Sequence, residues 1–195
     1  MTKKEIIIQT ASELFLKYGF KKISVNEICK NAQVSRKTYY TYFKNKEELV
    51  KQIIGDVADF GFQLYDEIFN DATLNFGQKM EKGMLAKIEL TKKWSMEFFT
   101  DLMQMEDGDL LNYYNGIAER SFKLMYNFME TAQKKDELDP NLNLNYIMWL
   151  LKKQLEHINE PELLSMFSNI EDLTRQMSQV FVYGILSQND KDNIK

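Results

Sequence analysis

The sequence predicts an all-α fold, with a small three-helix head at the N-terminus and a larger helical domain behind it. Two prolines and eight glycines punctuate 195 residues, far too few turn residues for a many-stranded protein. Apolar residues recur at three- and four-residue steps, the period of a helix with one buried face. Capping signals stand where several of those periods begin. The composition, 44% hydrophobic and 28% charged, is that of a globular chain rather than a disordered one. No apolar run nears the roughly 18 residues of a membrane span. Met1–Glu5 enters a helical pattern at once, with no signal-peptide layout. A cytoplasmic protein without membrane association is the expectation.

The first helix is marked by Ile7, Ala11, Leu14, Phe15 and Tyr18, with Gly19 in the place of a C-cap glycine. Ser24-Val25-Asn26-Glu27 reads as a capping box opening a second, short helix. Val25, Ile28 and Cys29 face inward from it, and it ends near Ala32. A turn at Gln33-Val34 follows, and Ser35 caps a third helix, Arg36 to Phe43. Asn45, with Glu48 three residues on, caps a fourth from Lys46 to about Phe69. Gln33 stands where such turns prefer glycine, so a residue with a side chain is expected in a left-handed conformation, at a cost of about 1 kcal/mol. Tyr39 is expected in the core with its hydroxyl reaching a polar partner. Cys29 reads as a small buried hydrophobe, and as the one cysteine it leaves no internal disulfide.

Two short helices joined by a tight turn, the second bearing exposed Arg, Lys, Thr and Tyr, have the layout of a helix-turn-helix. Charge agrees. Residues 1–51 carry about +6 and the remainder about −10, although the chain as a whole is −4. The segment Ile6–Val50 resembles the N-terminal domain of the TetR/AcrR family of bacterial repressors. The resemblance rests on Leu14-Phe15, Gly19-Phe20, Ser24-Val25 with Ile28, Val34-Ser35, Thr38, Tyr40, Tyr42-Phe43, Lys46-Glu47 and Leu49. It implies that Arg36, Lys37 and Tyr40 read base edges in double-stranded DNA. It implies also that Ser24, Ser35, Thr38, Tyr42 and Lys46 lie among the backbone-contacting residues.

Beyond the head, periodicity predicts helices at about 74–91, 95–103, 109–135, 144–158 and 162–186, with breaks at Asp139-Pro140 and Pro161. The expected organisation is a DNA-binding domain over 1–46, a ligand-binding and dimerisation domain over 47–187, and a polar tail over 188–195. The last two helices carry wide apolar faces. Ile147, Leu151, Leu155, Phe167, Ile170, Met177 and Phe181 are the expected homodimer contacts, since the resemblance implies that these helices meet their symmetry mates. The middle of the chain is rich in Met and aromatics. Trp94, Phe98, Phe99, Met103, Tyr113, Phe122, Met125, Tyr126 and Met129 are the candidate lining of a deformable pocket for a small-molecule inducer. The acidic body makes a cationic inducer the first idea for its chemistry.

Other functions fit less well. A di-iron bundle needs two Glu-x-x-His pairs, and His157 is the one histidine. The same count leaves no His-based zinc site, and no Gly-x-Ser-x-Gly nucleophile elbow occurs. No enzyme activity and no cofactor are implied. The expectation is a transcriptional regulator, a dimeric repressor on a palindromic operator released by ligand. An adaptor whose C-terminal domain recognises a protein is the alternative.

Overall fold

The structure, a computed structural model, describes residues 1–106, 108–158 and 160–185. The expected polar tail over 188–195 lies outside the described residues. Those residues form α1 (Lys3–Tyr18), α2 (Val25–Asn31), α3 (Arg36–Tyr42), α4 (Lys46–Asn70) and α5 (Phe76–Thr91). After them come α6 (Met96–Met103), α7 (Asp109–Lys134), α8 (Leu144–Glu156), α9 (Pro161–Ser165) and α10 (Ile170–Ile185). The fold is all-α, as the periodicity predicts. Among the described residues, no helix is long and apolar enough to cross a membrane.

The chain divides into two compact units. The first comprises Met1–Asp59 and Lys93–Asn115, the second Phe60–Lys92 and Gly116 onward. The first takes in the start of α4 and all of α6 besides α1, α2 and α3. In this unit α1 packs on α2, α3 and α6. Ile7, Ala11, Phe15, Ile28, Tyr39 and Leu49 are wholly buried. Phe20 meets Phe15 and Phe98 edge to face, at ring distances of 6.4 and 6.2 Å. The Ser95 N–H, at the cap of α6, donates to the Leu16 carbonyl at 2.8 Å, so α6 seats on the C-terminal end of α1.

Local chemistry explains the boundaries. Thr2 and Glu5 form a capping box at α1, which the bare helical pattern of Met1–Glu5 did not single out. Gly19 ends α1 with φ 80° and ψ 154°, a region that essentially only glycine occupies. Asn75 and Gln78 form the box that starts α5. The expected helix over 162–186 is two helices. Asn169 accepts the Asp172 N–H at 2.8 Å and so caps α10 afresh, while Met166 and Phe167 close the short α9 with i→i−3 bonds.

The second unit has its own core. Phe76, Met80 and Met84 of α5 gather with Met129, Ala132, Leu138, Leu144, Ile147 and Val182. Phe128 stacks on Phe69 and Phe76 at ring distances of 3.9 and 5.3 Å.

Candidate nucleic-acid interface

The turn between α2 and α3 is built by its backbone. The Gln33 N–H donates to the Lys30 carbonyl at 3.3 Å, and the Val34 N–H to the Cys29 carbonyl at 3.0 Å. That bond pair, around a left-handed residue, is a Schellman motif. Gln33 supplies the left-handed residue at φ 53°, as its place in the sequence requires. Ser35 then caps α3 by accepting the Thr38 N–H at 3.0 Å. The two short helices are thereby held in the helix-turn-helix arrangement.

Tyr39 anchors α3 from beneath. Its ring is wholly buried and lies 5.7 Å from that of Phe43. Its hydroxyl donates to the Asn45 carbonyl at 3.3 Å, and burial pushes the phenol up to about 12. Cys29 is buried under the same helix, and burial pushes its thiol up as well. A protonated, enclosed thiol is an inert one.

The outward face of α3 is polar apart from the Tyr40 ring, which meets the buried Tyr39 edge-on at 5.3 Å. Arg36, Lys37 and Tyr42 are exposed. Tyr40 is 46% exposed, and the Arg36 guanidinium lies 5.8 Å from the centre of its ring. The serine and threonine candidates are differently placed. The Ser24 hydroxyl accepts the Glu27 N–H and donates to the Glu27 carboxylate, and the Ser24 N–H holds that carboxyl below its ordinary range. The Ser35 and Thr38 hydroxyls bond each other at 2.9 Å. These three side chains define the helix starts, which leaves the backbone N–H groups of the first turns as the outward-facing donors.

Lys46 departs furthest from the sequence reading. Its ammonium donates to the carbonyls of Phe20, Lys21 and Ile23 at 2.8, 3.2 and 3.0 Å. All three of its protons are therefore engaged with the α1–α2 loop. Burial lowers its pKa, against the opposing fields of Asp101 and Glu27. Lys46 is a tie between the loop and the start of α4.

The candidate pocket lining is split. Trp94, Phe98, Phe99, Met103 and Tyr113 belong to the first unit, while Phe122, Met125, Tyr126 and Met129 belong to the second. Phe98 and Phe99 are buried, and Phe98 fills the core against Phe20 and Trp94. Met129 is wholly buried in the core of the second unit. Phe122 is covered by the Lys152 ammonium at 5.2 Å. An open hollow of about 350 Å³ lies in the first unit, between Phe20, Lys46, Val50 and Leu110, and none of the nine candidates lines it. The expected dimer contacts differ in exposure within the protomer. Ile147 and Ile170 are 7% and 1% exposed and serve the protomer's own core. Leu151, Phe167, Met177 and Phe181 are half-buried, and Leu155 is exposed.

A helix-turn-helix with a polar outward helix, followed by an all-helical domain, defines a class of DNA-binding protein. Residues 7–53 match the family model of bacterial regulatory proteins, tetR family. The uncharacterised HTH-type transcriptional regulator YhgD of Bacillus subtilis is 31% identical over 90 residues, which is 46% of this chain and 47% of that protein. That match thus spans about half of YhgD. The uncharacterised regulator YdgC of the same organism is 23% identical over 97% of this chain and 95% of its own. Among solved structures, the transcriptional regulator FadR from Bacillus subtilis, in complex with stearoyl-CoA, covers 94% of this chain and 100% of its own, with TM-score 0.69 and 17% identity. Over residues 7–53 the chain is thus similar to bacterial regulatory proteins of the tetR family, and over nearly its whole length it shares the fold of solved regulators.

Proposed function

We propose that the protein is a ligand-released repressor that binds a palindromic operator as a homodimer. The observation that carries the reading is α3, a helix pinned by Tyr39 from below and presenting Arg36, Lys37 and Tyr40 outward. Arg36 and Lys37 sit in its first turn, where helices of this motif meet base edges, and Arg pairs bidentately with guanine. Tyr40 reads beside them, and Tyr42 contacts a phosphate. The first-turn N–H groups of α2 and α3, set by Ser24, Ser35 and Thr38, add further phosphate contacts.

The dimer face lies on the outward side of the last long helices. On α8, Tyr146, Trp149 and Leu150 are 58%, 53% and 44% exposed, and the first two rings stack. On α10, Val180 and Tyr183 are 71% and 37% exposed. A second copy of the chain covers these residues, with Leu155 at the edge, and its twofold axis gives the operator its symmetry. The second unit binds the inducer. FadR, which shares the fold, supports that reading because its structure holds stearoyl-CoA. Helix α4 starts in one unit and ends in the other, so it carries the signal. A coupling of about 3 kcal/mol weakens operator binding by roughly two orders of magnitude.

The test is retention of sheared genomic DNA by the purified protein, followed by sequencing. A palindromic site should be enriched, and Arg36→Ala should lose both affinity and base preference at one position per half-site, by about 1–3 kcal/mol. Unchanged preference in Arg36→Ala would remove α3 as the reading helix.

A further inference from the structure

One lysine of the second unit stands where a lysine is not expected. The inner stripe of α5 comprises Phe76, Met80, Gly83, Met84 and Thr91, all buried. Lys87 falls in the middle of that stripe, four residues from both Gly83 and Thr91 and three from Met84. It is nevertheless exposed, with buried residues of the same stripe flanking it a turn away on either side. Desolvation alone acts on the ammonium and lowers its pKa, with no opposing charge among the described residues. The side chain is thus accessible yet poorly hydrated.

Helix α10 supplies the second observation. It packs on α5, and the Thr91 and Thr174 hydroxyls meet between the two helices at 3.2 Å. At the other end, Val182 joins Phe76, Met80 and Met84, so the helices run antiparallel. One turn back from Thr91 is Lys87, and one turn on from Thr174 is Ser178, which places the two at one level. Ser178 is 8% exposed, and its hydroxyl is buried without a hydrogen-bond partner among the described residues. A native buried hydroxyl left unpaired asks for an explanation. Tyr65 closes the neighbourhood from α4, donating to the Gly83 carbonyl at 3.3 Å. Beyond this polar level lie Met80 and Met84 of the unit's apolar core, with Phe181 packed against it.

We propose that the second unit binds an amphiphilic carboxylate, its head held between the Lys87 ammonium and the Ser178 hydroxyl and its apolar body on the Met80, Met84 and Phe181 side. A carboxylate accepts from both donors and supplies the charge that Lys87 lacks. A cationic ligand would meet an ammonium of its own sign, so the acidity of the body as a whole misleads about the pocket. The proposal rests on the ligand-responsive regulator reading and names the chemistry of that ligand.

The probes are decanoate, decanol and decyltrimethylammonium at submicellar concentration, titrated calorimetrically into the full chain. Decanoate should bind saturably and more tightly than either analogue. Lys87→Met should weaken decanoate roughly ten- to hundredfold and leave decanol unchanged, with Lys87→Arg retaining most of the affinity. Ser178→Ala should give a smaller loss, about several-fold. Circular dichroism confirms that each variant is folded. Equal decanoate affinity in wild type and Lys87→Met, preference for the ammonium probe, or no saturable decanoate binding by folded wild type would each overturn the proposal. DNA retention by the same preparation separates the readings. DNA bound without any role for Lys87 ends the carboxylate proposal alone. Decanoate bound through Lys87 without effect on DNA affinity supports the pocket and ends ligand release.

Discussion

Lys46→Met separates two roles that one lysine could have. As a tie, the ammonium satisfies three carbonyls of the α1–α2 loop, those of Phe20 and Ile23 being partly buried. Hydrogen bonds from a charged donor contribute about 1.5–3 kcal/mol each, and a buried acceptor left unpaired costs about 1–3. Lys46 is itself partly dehydrated, which offsets some of the gain, so the net loss is expected near 3 kcal/mol rather than at the sum. For a chain of this size that is a fall of about 6–12 °C in Tm. Lys46→Arg should recover only part of it, because a planar fork cannot converge on three carbonyls as an ammonium does. The assay is thermal and urea unfolding by circular dichroism, paired with the salt dependence of DNA affinity. A phosphate contact would lower the slope of log K against log salt by about one when removed. The tie predicts an unchanged slope at temperatures where the variant is folded. A Lys46→Met protein of wild-type stability with a slope smaller by about one would refute this account.

Three further outcomes are expected. Gly19→Ala should destabilise the first unit by about 2–4 kcal/mol, read from urea unfolding, because φ 80° disfavours a side chain and the new Cβ would lie 2.5 Å from Asp101 Oδ2. That carboxylate oxygen also accepts the Lys21 N–H at 2.8 Å, so moving it aside breaks a second contact. Alkaline stability should follow the buried phenols: Tyr39, Tyr65 and Tyr114 are pushed up to about 12 by burial. Their folded values lie above that of an unfolded phenol, so the stability they confer is full below about pH 10 and is lost as pH rises towards 12. A titration followed at 295 nm should show these three ionising together with loss of the helical signal, whereas ionisation at full helicity would count against it. Val180→Glu with Trp149→Glu should leave the protomer folded and turn a dimer into a monomer by light scattering, with operator affinity falling in step. A double variant that is still dimeric would place the interface elsewhere.

The head was legible because its signals are local. Ser24 with Glu27, Ser35, and Asn45 with Glu48 each cap within three residues, and Gln33 had to be left-handed because two short helices leave the turn no other conformation. The carboxylate of Glu48 in fact reaches the Lys44 N–H at 2.6 Å, a one-residue shift that spacing does not resolve. The Thr2–Glu5 box carries the same T-x-x-E signal, whereas before α10 the capping residue Asn169 stands inside an unbroken apolar period that masks it. What was not legible depends on distant chain segments. Lys46 finds its acceptors 23 to 26 residues away. Periodicity also sorts inside from outside without saying which inside, so Phe98 and Met129 read alike although they serve different cores. Lys87 was hidden by its charge, since a lysine on an apolar stripe reads as a flaw in the pattern.

The anchoring of α3 has an evolutionary consequence. Tyr39 and its bond to Asn45, the Schellman turn and the Lys46 tie hold the helix without help from residues 36 and 37, whereas the Tyr40 ring packs edge-on against Tyr39 at 5.3 Å. Those two positions can therefore change at little cost in stability, since surface substitutions remote from the core are usually within about 0.5 kcal/mol of neutral. A lineage carrying this head is free to drift from one recognition sequence to another by single replacements on a scaffold that stays put.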